Sequence, residues 1–236
     1  MSFLIAVYVN EGIVLASDRR TTYTNTIERE GRIIQSIGIH TTNSTEKTFL
    51  CPNGAGISTC GDASLCGAPI TGYIQEAIRT QIGVDCDVEE IPNILIRYFN
   101  NLSTVPDTNF IVAGYKTVDD KKEQKVYKVN VKSQVITVAD TNNQGATWDG
   151  ETFTLTRLLQ NVALIDEKGN CNPLPFERIL FEYFTLQDAV DFARYAVETT
   201  IQTMHFKNVV ESVGGAVDIL VITPDETRWL QKAELK

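Results

Sequence analysis

The opening segment of the chain constrains the fold more than any other part of the sequence. It consists of two apolar runs around a short turn: Phe3–Val9, then Asn10-Glu11-Gly12, then residues 13–17. The first run holds β-branched and aromatic residues without polar alternation, which is typical of a strand buried on both faces. Because the turn favours a hairpin, the second strand returns antiparallel and brings Asp18 back beside Ser2.

The remaining patterns predict an α+β chain in which groups of strands alternate with pairs of helices. Further strands are predicted at 47–50, 56–60, 109–115, 124–131, 134–139, 217–222 and 227–232. Helices are predicted at 63–82, 88–102, 151–164 and 186–204, and residues 21–45 are predicted as a long loop or irregular hairpin. This order favours two sheets packed face to face, each covered by a helix pair. No repeat or linker interrupts the pattern, so residues 1–236 are predicted to be one domain.

Composition and charge exclude several classes of partner. The chain has 236 residues with 21 basic and 30 acidic side chains, which gives a net charge of −9. An acidic chain of this kind is ill suited to nucleic acid or to an anionic membrane, so neither is expected as a partner. The cysteines form no Cys-x-x-Cys pair, and the sequence offers no recognisable secretory leader or membrane span. Reduced thiols and a cytoplasmic location are therefore predicted.

Several common catalytic chemistries find no support in the sequence. The two histidines, His40 and His205, can hardly build a multi-histidine metal site. The chain has no Gly-x-Ser-x-Gly nucleophile elbow, no phosphate-binding Gly-x-x-x-x-Gly-Lys-Ser/Thr loop and no complete dinucleotide fingerprint. We therefore expect neither a metal nor an organic cofactor, and Ser2 becomes the best reactive candidate.

Ser2 follows Met1, and this arrangement predicts an N-terminal nucleophile. Methionine aminopeptidase normally removes Met1 when a residue as small as serine comes next, which would expose the α-amine of Ser2. That amine can act as general base for the hydroxyl of the same residue, and its unperturbed pKa of about 7.7–8.0 suits work near neutral pH. Met-Ser is also a common start without any function, so the interpretation depends on the residues that follow.

A serine of this kind needs charged neighbours, and Asp18 and Lys47 can supply them. A nearby ammonium group keeps the N-terminal amine neutral by like-charge repulsion, and a carboxylate would hold that ammonium in place. Asp18 ends the second strand and Lys47 begins the next, so the two can meet if their strands share a sheet end. The alternative is that Asp18 and its arginine neighbours form a solvated charge cluster, and that Lys47 is an ordinary surface lysine.

Three segments of the chain carry a resemblance to a known family. They are Gly12-Ile-Val-Leu-Ala-Ser-Asp18-Arg-Arg20-Thr-Thr22, Lys47-Thr-Phe and Val213-Gly-Gly-Ala-Val-Asp-Ile-Leu-Val221. Together they resemble the proteasome β-type subunits and their bacterial relatives, which are self-compartmentalised N-terminal-nucleophile (Ntn) hydrolases. The resemblance implies a four-layer αββα Ntn-hydrolase sandwich and a threonine-protease-like endopeptidase, here with serine as the nucleophile.

The resemblance implies a catalytic role for five matching residues. Counted without gaps, Ser2 falls on the family's nucleophile and Gly61 on its oxyanion glycine. Ser2 would attack the substrate carbonyl, Lys47 would tune the serine amine, and Asp18 would orient Lys47. Arg20 would brace this end of the sheet. The backbone N–H of Gly61 would donate to the oxyanion, and losing one such donor typically costs about 10²–10³ in rate.

The resemblance also implies how a substrate would bind and how the chain would assemble. Thr22 would pair with the substrate backbone as an added strand. Thr21, Thr59 and Ala63 would line the specificity pocket, which favours small to medium uncharged side chains. Substrates would be peptides or unfolded polypeptides. The family usually forms chambered rings, so a homo-oligomeric ring or stacked assembly is expected, with room for an unfoldase partner.

The sequence also departs from the family pattern. The nucleophile is serine rather than threonine, and the connection from Arg20 to Lys47 is longer, which adds residues 28–45 near the active-site mouth. The supporting Asp-x-x-Ser before the Gly-Gly pair is not intact, although Ser212 could replace its serine if the loop is shifted by one residue. The mid-chain supporting serine has no clear counterpart, and residues 145–147 lie in the corresponding area.

Two alternatives to a peptidase stay open at the level of sequence. One is a non-peptidase Ntn amidase that acts on small amides, because residues 142–148 and the long Arg20–Lys47 connection could shape a closed pocket. The other is a catalytically inactive, ring-forming proteasome-like scaffold. The joint presence of Ser2, Asp18, Lys47 and Gly61 at the family spacing counts against the scaffold.

Overall fold

The structure, a computed structural model, describes residues 2–29 and 32–234. The strands of the described part are β1 Phe3–Val9, β2 Gly12–Asp18, β3 Thr21–Arg29, β4 Arg32–Thr42, β5 Thr48–Leu50, β6 Gly56–Gly61, β7 Ser64–Leu65, β8 Ala68–Pro69, β9 Thr108–Val118, β10 Lys121–Asn130, β11 Val135–Val138, β12 Gly145–Gly150, β13 Ala163–Ile165, β14 Cys171–Pro173, β15 Val217–Ile222 and β16 Thr227–Gln231. The helices are α1 Ile70–Gln81, α2 Ile91–Asn100, α3 Phe153–Leu159 and α4 Leu186–His205, with a 3₁₀ turn at Phe181–Tyr183.

Two five-stranded sheets form the two inner layers. The first sheet has the strand order β12-β1-β2-β15-β16, and the second has the order β11-β10-β9-β6-β5. Strand β1 lies inside the first sheet, where it is antiparallel to both β12 and β2. All seven of its residues are buried. The predicted strand buried on both faces is therefore confirmed.

Side chains of β1 alternate between two apolar cores, as the period of two in a strand requires. Phe3 and Ile5 pack in a core with α4, whereas Leu4 and Ala6 pack in the core between the two sheets. A third core lies between the second sheet and the helices α1 and α2. Burying one large apolar side chain contributes roughly 1.5–3 kcal/mol to stability, so these three cores stabilise four layers. The αββα sandwich is confirmed.

Helix α4 covers the first sheet, and its predicted span is nearly correct. The prediction of 186–204 compares with Leu186–His205 in the structure. Its first turn carries a capping box, in which Thr185 and Asp188 exchange side-chain and backbone hydrogen bonds. Glu11, in the β1–β2 turn, accepts a hydrogen bond from the Leu186 N–H at 2.9 Å. The start of the helix is thus tied to the hairpin that carries Ser2.

The predicted helix at 63–82 is wrong in its first part. Strands β7 and β8 form a two-stranded hairpin there, and α1 begins only at Ile70. Pro69 stands at the N-cap position of the helix with a ψ of 134°. A proline suits a helix start better than a helix interior because it has no N–H to donate. Pro69 therefore marks the boundary of α1.

Other predicted boundaries also need correction. The helix predicted at 88–102 is confined to Ile91–Asn100, and the helix predicted at 151–164 ends at Leu159. Strand β12 and the hairpin of β13 and β14 were not predicted. Residues 21–45 contain the β3–β4 hairpin, which has a register shift between Tyr23 and Thr24. Of the two predicted forms, the irregular hairpin rather than the long loop is therefore present. None of the described helices combines the length and apolar character that crossing a membrane requires.

Candidate active site

The hairpin of β1 and β2 brings Ser2 and Asp18 to the same end of the first sheet. Leu4 pairs with Ser17 in this hairpin, so Asp18 lies beside the first residues of β1. The backbone N–H of Phe3 donates to Oδ1 of Asp18 at 3.0 Å, and Asp18 is fully buried. The juxtaposition of Ser2 and Asp18 that hairpin geometry predicts is therefore present.

Lys47 reaches the same carboxylate from the second sheet. Its Nζ lies 2.8 Å from Oδ1 of Asp18 and also donates to the backbone carbonyl of Arg20. Burial lowers the pKa of the Lys47 ammonium, and the adjacent Asp18 carboxylate opposes this shift. The Thr59 N–H fixes the lysine backbone by donating to the Lys47 carbonyl at 2.8 Å. Lys47 is 3 % exposed, so it is not a surface lysine.

Four donors surround the Asp18 carboxylate. Oδ1 accepts from Phe3 and Lys47, and Oδ2 accepts from the backbone N–H groups of Arg20 at 3.0 Å and Gly214 at 2.9 Å. A buried carboxylate tolerates its loss of water when charge-assisted hydrogen bonds replace it, and these bonds fix its orientation. Asp18 can therefore hold Lys47 in one place. The sequence did not single out the Gly214 N–H as part of this cluster.

A small pocket opens beside Ser2 and holds most of the predicted site. Its volume is about 30 Å³, more than the minimum that one water molecule needs. The predicted residues that line it are Ser2, Lys47, Gly61, Thr21, Thr22, Thr59 and Ala63. Thr45, Glu46 and Cys60 also line the pocket, and the sequence patterns had not identified them. This pocket, called the Ser2 pocket below, has room for a small side chain.

Gly61 occupies a backbone position that requires glycine. Its φ is +117°, and a Cβ at this position would lie 2.3 Å from the carbonyl oxygen of Asp107. Asp62 anchors the turn, because its N–H donates to the Asp107 carbonyl at 3.0 Å and its carboxylate accepts from the Asp107 N–H at 2.7 Å. These two bonds hold the backbone whose N–H is the predicted oxyanion donor.

Arg20 ties the end of β2 to the loop before β15. Its Nε donates to Asn43 at 2.8 Å, and its Nη1 lies 2.5 Å from Oε2 of Glu211. A Cβ on Gly214 would lie 2.5 Å from the Arg20 Cζ, so a larger residue there would require the guanidinium to move. Glu211 also contacts Nδ1 of His205 at 2.9 Å, and hydrogen bonds from Arg20 and then His205 lower the pKa of the Glu211 carboxyl. Glu211 is a partner of the site that the sequence did not assign.

Ser212 is buried, and the structure places it beside the Ser2 pocket rather than in it. Its Oγ has no hydrogen-bond partner among the residues that the structure describes. It lines a neighbouring groove, which Thr22 shares with the Ser2 pocket. The expected replacement of the family's supporting serine by Ser212 stays a prediction.

Gly150 and Glu151 hold Ser2 from the side opposite Asp18. Gly150 is the partner of Phe3 in the β1–β12 pairing, and the Glu151 N–H donates to the Ser2 carbonyl at 2.7 Å. Gly150 has a φ of +87°, and a Cβ there would lie 1.9 Å from the Ser2 carbonyl oxygen. The Asp149-Gly150 dipeptide is a turn signal, which is the one sequence clue to this contact. Thr147, considered above for a supporting role, instead pairs with Ala6 inside the sheet.

Cys60 is the one thiol that lines the Ser2 pocket, and its environment makes it a poor nucleophile. Burial raises the pKa of Cys60 to about 12. Since the thiolate is the reactive form, Ser2 remains the better candidate. Within the described residues, no group of three His, Cys, Asp or Glu side chains is arranged to hold a metal ion.

Comparisons with known proteins identify the fold. One similar solved structure is the Gly-1 mutant of Anbu from Hyphomicrobium sp. strain MC1, with a TM-score of 0.60 and 13 % identity, covering 98 % of this chain and 85 % of that one. Another is Anbu from the same strain, with a TM-score of 0.57 and 12 % identity, covering 98 % and 88 %. The fold is that of the Ntn hydrolases. At such low identity the likeness concerns the fold alone.

The expected membership in the proteasome β-subunit-like family is wrong as a statement about sequence. No family model matches the chain, and no curated protein matches it either. The short motifs around Asp18, Lys47 and Gly214 therefore do not establish membership in that family. What the comparisons support is a distant structural similarity to Anbu.

Proposed function

We propose that the chain is a peptidase that uses Ser2 as an N-terminal nucleophile after the removal of Met1. The observation that carries this proposal is the buried Lys47–Asp18 pair, 2.8 Å apart, with Lys47 and Ser2 lining one pocket. Ionised side chains are seldom buried without a partner or a function. Met1 itself lies outside the described residues, so its removal is part of the proposal.

Acylation follows from the positions of three groups. The Ser2 hydroxyl attacks the carbonyl carbon of the scissile amide, and its proton passes to the free α-amine of the same residue. Lys47 favours the neutral, proton-accepting form of that amine through like-charge repulsion, and Asp18 keeps Lys47 in place. The Gly61 N–H donates to the oxyanion that develops on the carbonyl oxygen. The α-amine then delivers its proton to the leaving amine.

Deacylation uses the same groups with water as the nucleophile. The α-amine of Ser2 takes a proton from water, the water oxygen attacks the ester carbonyl, and Ser2 leaves as its hydroxyl.

The small volume of the Ser2 pocket, about 30 Å³, and its threonine lining favour a small uncharged residue on the acyl side of the scissile bond. We expect short peptides or unfolded polypeptides as substrates, a cytoplasmic setting and a homo-oligomeric assembly.

The first test is the intact mass of untagged protein together with a Ser2→Ala comparison. We expect a mass lower by one methionine residue, cleavage of fluorogenic peptides with alanine before the reporter, and loss of at least 10³-fold in kcat for Ser2→Ala. Ser133→Ala is the matched control, since Ser133 lies in the β10–β11 turn and is exposed. It should retain full activity.

Other outcomes separate the alternatives. Cleavage of small N-acyl amides but not of peptides would replace the peptidase with an amidase that uses the same residues. Retention of Met1 without any measurable hydrolysis would leave the scaffold alternative. Equal, measurable activity of Ser2→Ala and the unmodified protein would remove Ser2 as the nucleophile and require another catalytic group.

A further inference from the structure

A second, larger cavity borders the Ser2 pocket. Its volume is about 670 Å³, within the usual range of ligand sites. Its lining includes Phe153, Arg157, Met204, Lys207, Val210 and Ser212. Thr22 lines both this cavity and the Ser2 pocket, and Glu151, whose N–H binds the Ser2 carbonyl, lines the cavity. The α3 groove, as we name it, therefore lies next to the pocket of the candidate nucleophile.

The α3 groove offers an apolar surface that the described structure leaves open. Phe153 is 63 % exposed and Val210 is 44 % exposed, while Met204 forms a buried base. An exposed phenylalanine and valine over a methionine make a surface that gains by burying an apolar group. Such a surface next to a candidate nucleophile fits an apolar side chain of the substrate.

Two cations stand at the rim of the α3 groove. The Arg157 guanidinium carbon lies 5.6 Å from the centroid of the Phe153 ring, as expected for residues one turn apart on a helix. Lys207 lines the groove just after α4. Among the side chains that the structure describes, no carboxylate forms an ion pair with either cation. In a chain with a net charge of −9, two such cations at an apolar groove indicate an anionic ligand group.

The remaining polar groups of the α3 groove set its direction. Glu151 is the acidic lining residue, and it stands at the Ser2 end because its N–H contacts the Ser2 carbonyl. A ligand carboxylate is repelled by the acidic Glu151 and attracted by Arg157 and Lys207, which also line the groove. The Ser212 Oγ is buried without a hydrogen-bond partner among the described residues.

We propose that the α3 groove binds the leaving-group side of a short peptide, with an apolar C-terminal residue over Phe153 and the free C-terminal carboxylate at Arg157 and Lys207. This inference rests on the proposed function, in which the Ser2 pocket takes the acyl side. It adds a substrate class: short peptides that end, within one or two residues after the scissile bond, in an apolar residue with a free carboxylate. The amine released in the acylation step then leaves together with this C-terminal fragment.

Binding to the Ser2→Ala variant tests the groove without requiring catalysis. The probes are two N-acetylated tetrapeptides of the same sequence that end in leucine, one as the free acid and one as the amide. We expect the acid to bind roughly five-fold more tightly in calorimetry at low salt, as two solvent-facing ion pairs allow. A third probe that ends in serine as the free acid should bind more weakly than the leucine acid. Equal binding of acid and amide would overturn the proposal.

Charge variants assign the preference to named residues. The double substitution Arg157→Gln and Lys207→Gln should abolish the difference between acid and amide. The matched control is Arg97→Gln with Lys121→Gln, because Arg97 stands in the last turn of α2 as Arg157 does in α3, and both control residues are exposed. The control pair should leave the acid preference unchanged, and its loss there would contradict the assignment. If the double variant fails to fold, the binding of the acid and amide probes to the Ser2→Ala variant alone tests the proposal.

Failure of this inference can be told apart from failure of the proposed function. Hydrolysis of peptides without any acid preference would keep the peptidase and remove the groove as a carboxylate site. Acid preference in binding without hydrolysis would keep the groove and remove the nucleophile. If the double charge variant instead changes the oligomeric state of the protein in solution, the groove is a contact between copies of the chain. This outcome also overturns the proposal.

Discussion

At the scale of single residues, the candidate site depends on close backbone approaches as much as on reactive side chains. Gly61, Gly150 and Gly214 each stand where a Cβ would overlap a neighbouring atom, at 2.3, 1.9 and 2.5 Å respectively. The overlapped neighbours are Asp107, Ser2 and Arg20, and the latter two are themselves candidate residues of the site. Gly61 and Gly150 therefore allow backbone contacts that any larger residue would prevent, whereas a larger residue at Gly214 would require the Arg20 side chain to move.

Gly150→Ala should displace the Ser2 carbonyl and reduce activity by at least ten-fold. The new Cβ would overlap the Ser2 oxygen, and a left-handed backbone disfavours alanine in addition. The matched control is Gly169→Ala, since Gly169 has a similar φ of +83° and a Cβ added there would meet no atom within 4 Å. That control carries only the backbone strain, about 1–2 kcal/mol. Kinetic constants and urea unfolding of both variants check this, and equal activity of the two would contradict the steric argument.

At the scale of elements, helix α4 covers the sheet that carries Ser2 and packs against three of its strands. Its apolar face packs on β1, β2 and β15 in one core, and its first turn is joined to the β1–β2 turn through Glu11. The stability of this helix start thus contributes to the stability of the nucleophile strand. The capping box at Thr185 and Asp188 gives a direct way to test it.

Thr185→Ala should lower the free energy of unfolding by about 1 kcal/mol, because the first turn loses its side-chain acceptor and one half of the capping box. Thr185→Ser keeps the hydroxyl and should stay close to the unmodified protein. Urea unfolding followed by circular dichroism measures both. Equal losses for alanine and serine would show that the methyl group of Thr185, rather than its hydroxyl, matters.

Elements with a strong local signal were predictable from the sequence. The unbroken apolar run of β1 and the 3.6-residue spacing of α4 identified both elements. Strand β12 was not predicted, since Gly145-Ala-Thr-Trp-Asp-Gly150 alternates over only two apolar residues, Ala146 and Trp148, between glycines that signal turns. It is a strand because β1 offers it a free edge, which is a long-range effect. The short hairpin of β7 and β8 was missed for the same reason.

The predictability of the site follows the same division. Asp18 could be placed beside Ser2 because a hairpin fixes their register, and Lys47 followed from a local motif. The contacts of Gly214 and Glu211 with this cluster could not be predicted, because they join chain positions nearly 200 residues from Asp18 and Arg20. Only the packing of β15 against β2 brings them together.

At the scale of the whole molecule, one buried ion pair joins the two ends of the described chain. Asp218 in β15 is fully buried, and its Oδ2 lies 3.4 Å from Nε of Arg19. Its Oδ1 accepts from the Ala233 N–H at 2.9 Å, and Arg19 donates to the Ala233 carbonyl. Residues near both chain ends therefore meet at one acidic side chain.

Asp218 should make part of the stability fall as the pH rises. Burial raises the pKa of Asp218, with the Ala233 N–H and then Arg19 acting in the opposite direction. The folded state therefore binds the proton more tightly than the unfolded chain. The resulting stabilisation is full below the unfolded pKa of about 3.9 and is lost as the pH rises through the higher folded value.

Asp218→Asn removes this proton-linked contribution. The free energy of unfolding of the unmodified protein, relative to the variant, should decline from pH 4.5 toward neutral pH in urea titrations. Asp225→Asn is the control, because Asp225 is exposed in the adjacent turn. This substitution removes the same charge. The difference in the free energy of unfolding between Asp225→Asn and the unmodified protein should vary less with pH. A constant difference for Asp218→Asn would contradict the linkage.

The position of β1 inside the first sheet determines how the candidate site is disrupted when the molecule unfolds. Every residue of β1 is buried, and strands flank it on both sides. Its amide hydrogens can exchange with solvent only when the sheet itself separates, so they belong to the slowest-exchanging class of the molecule. Ser2 is continuous with that strand. The candidate nucleophile is therefore held by the last part of the protein to open, and heat inactivation and global unfolding are expected to be a single event.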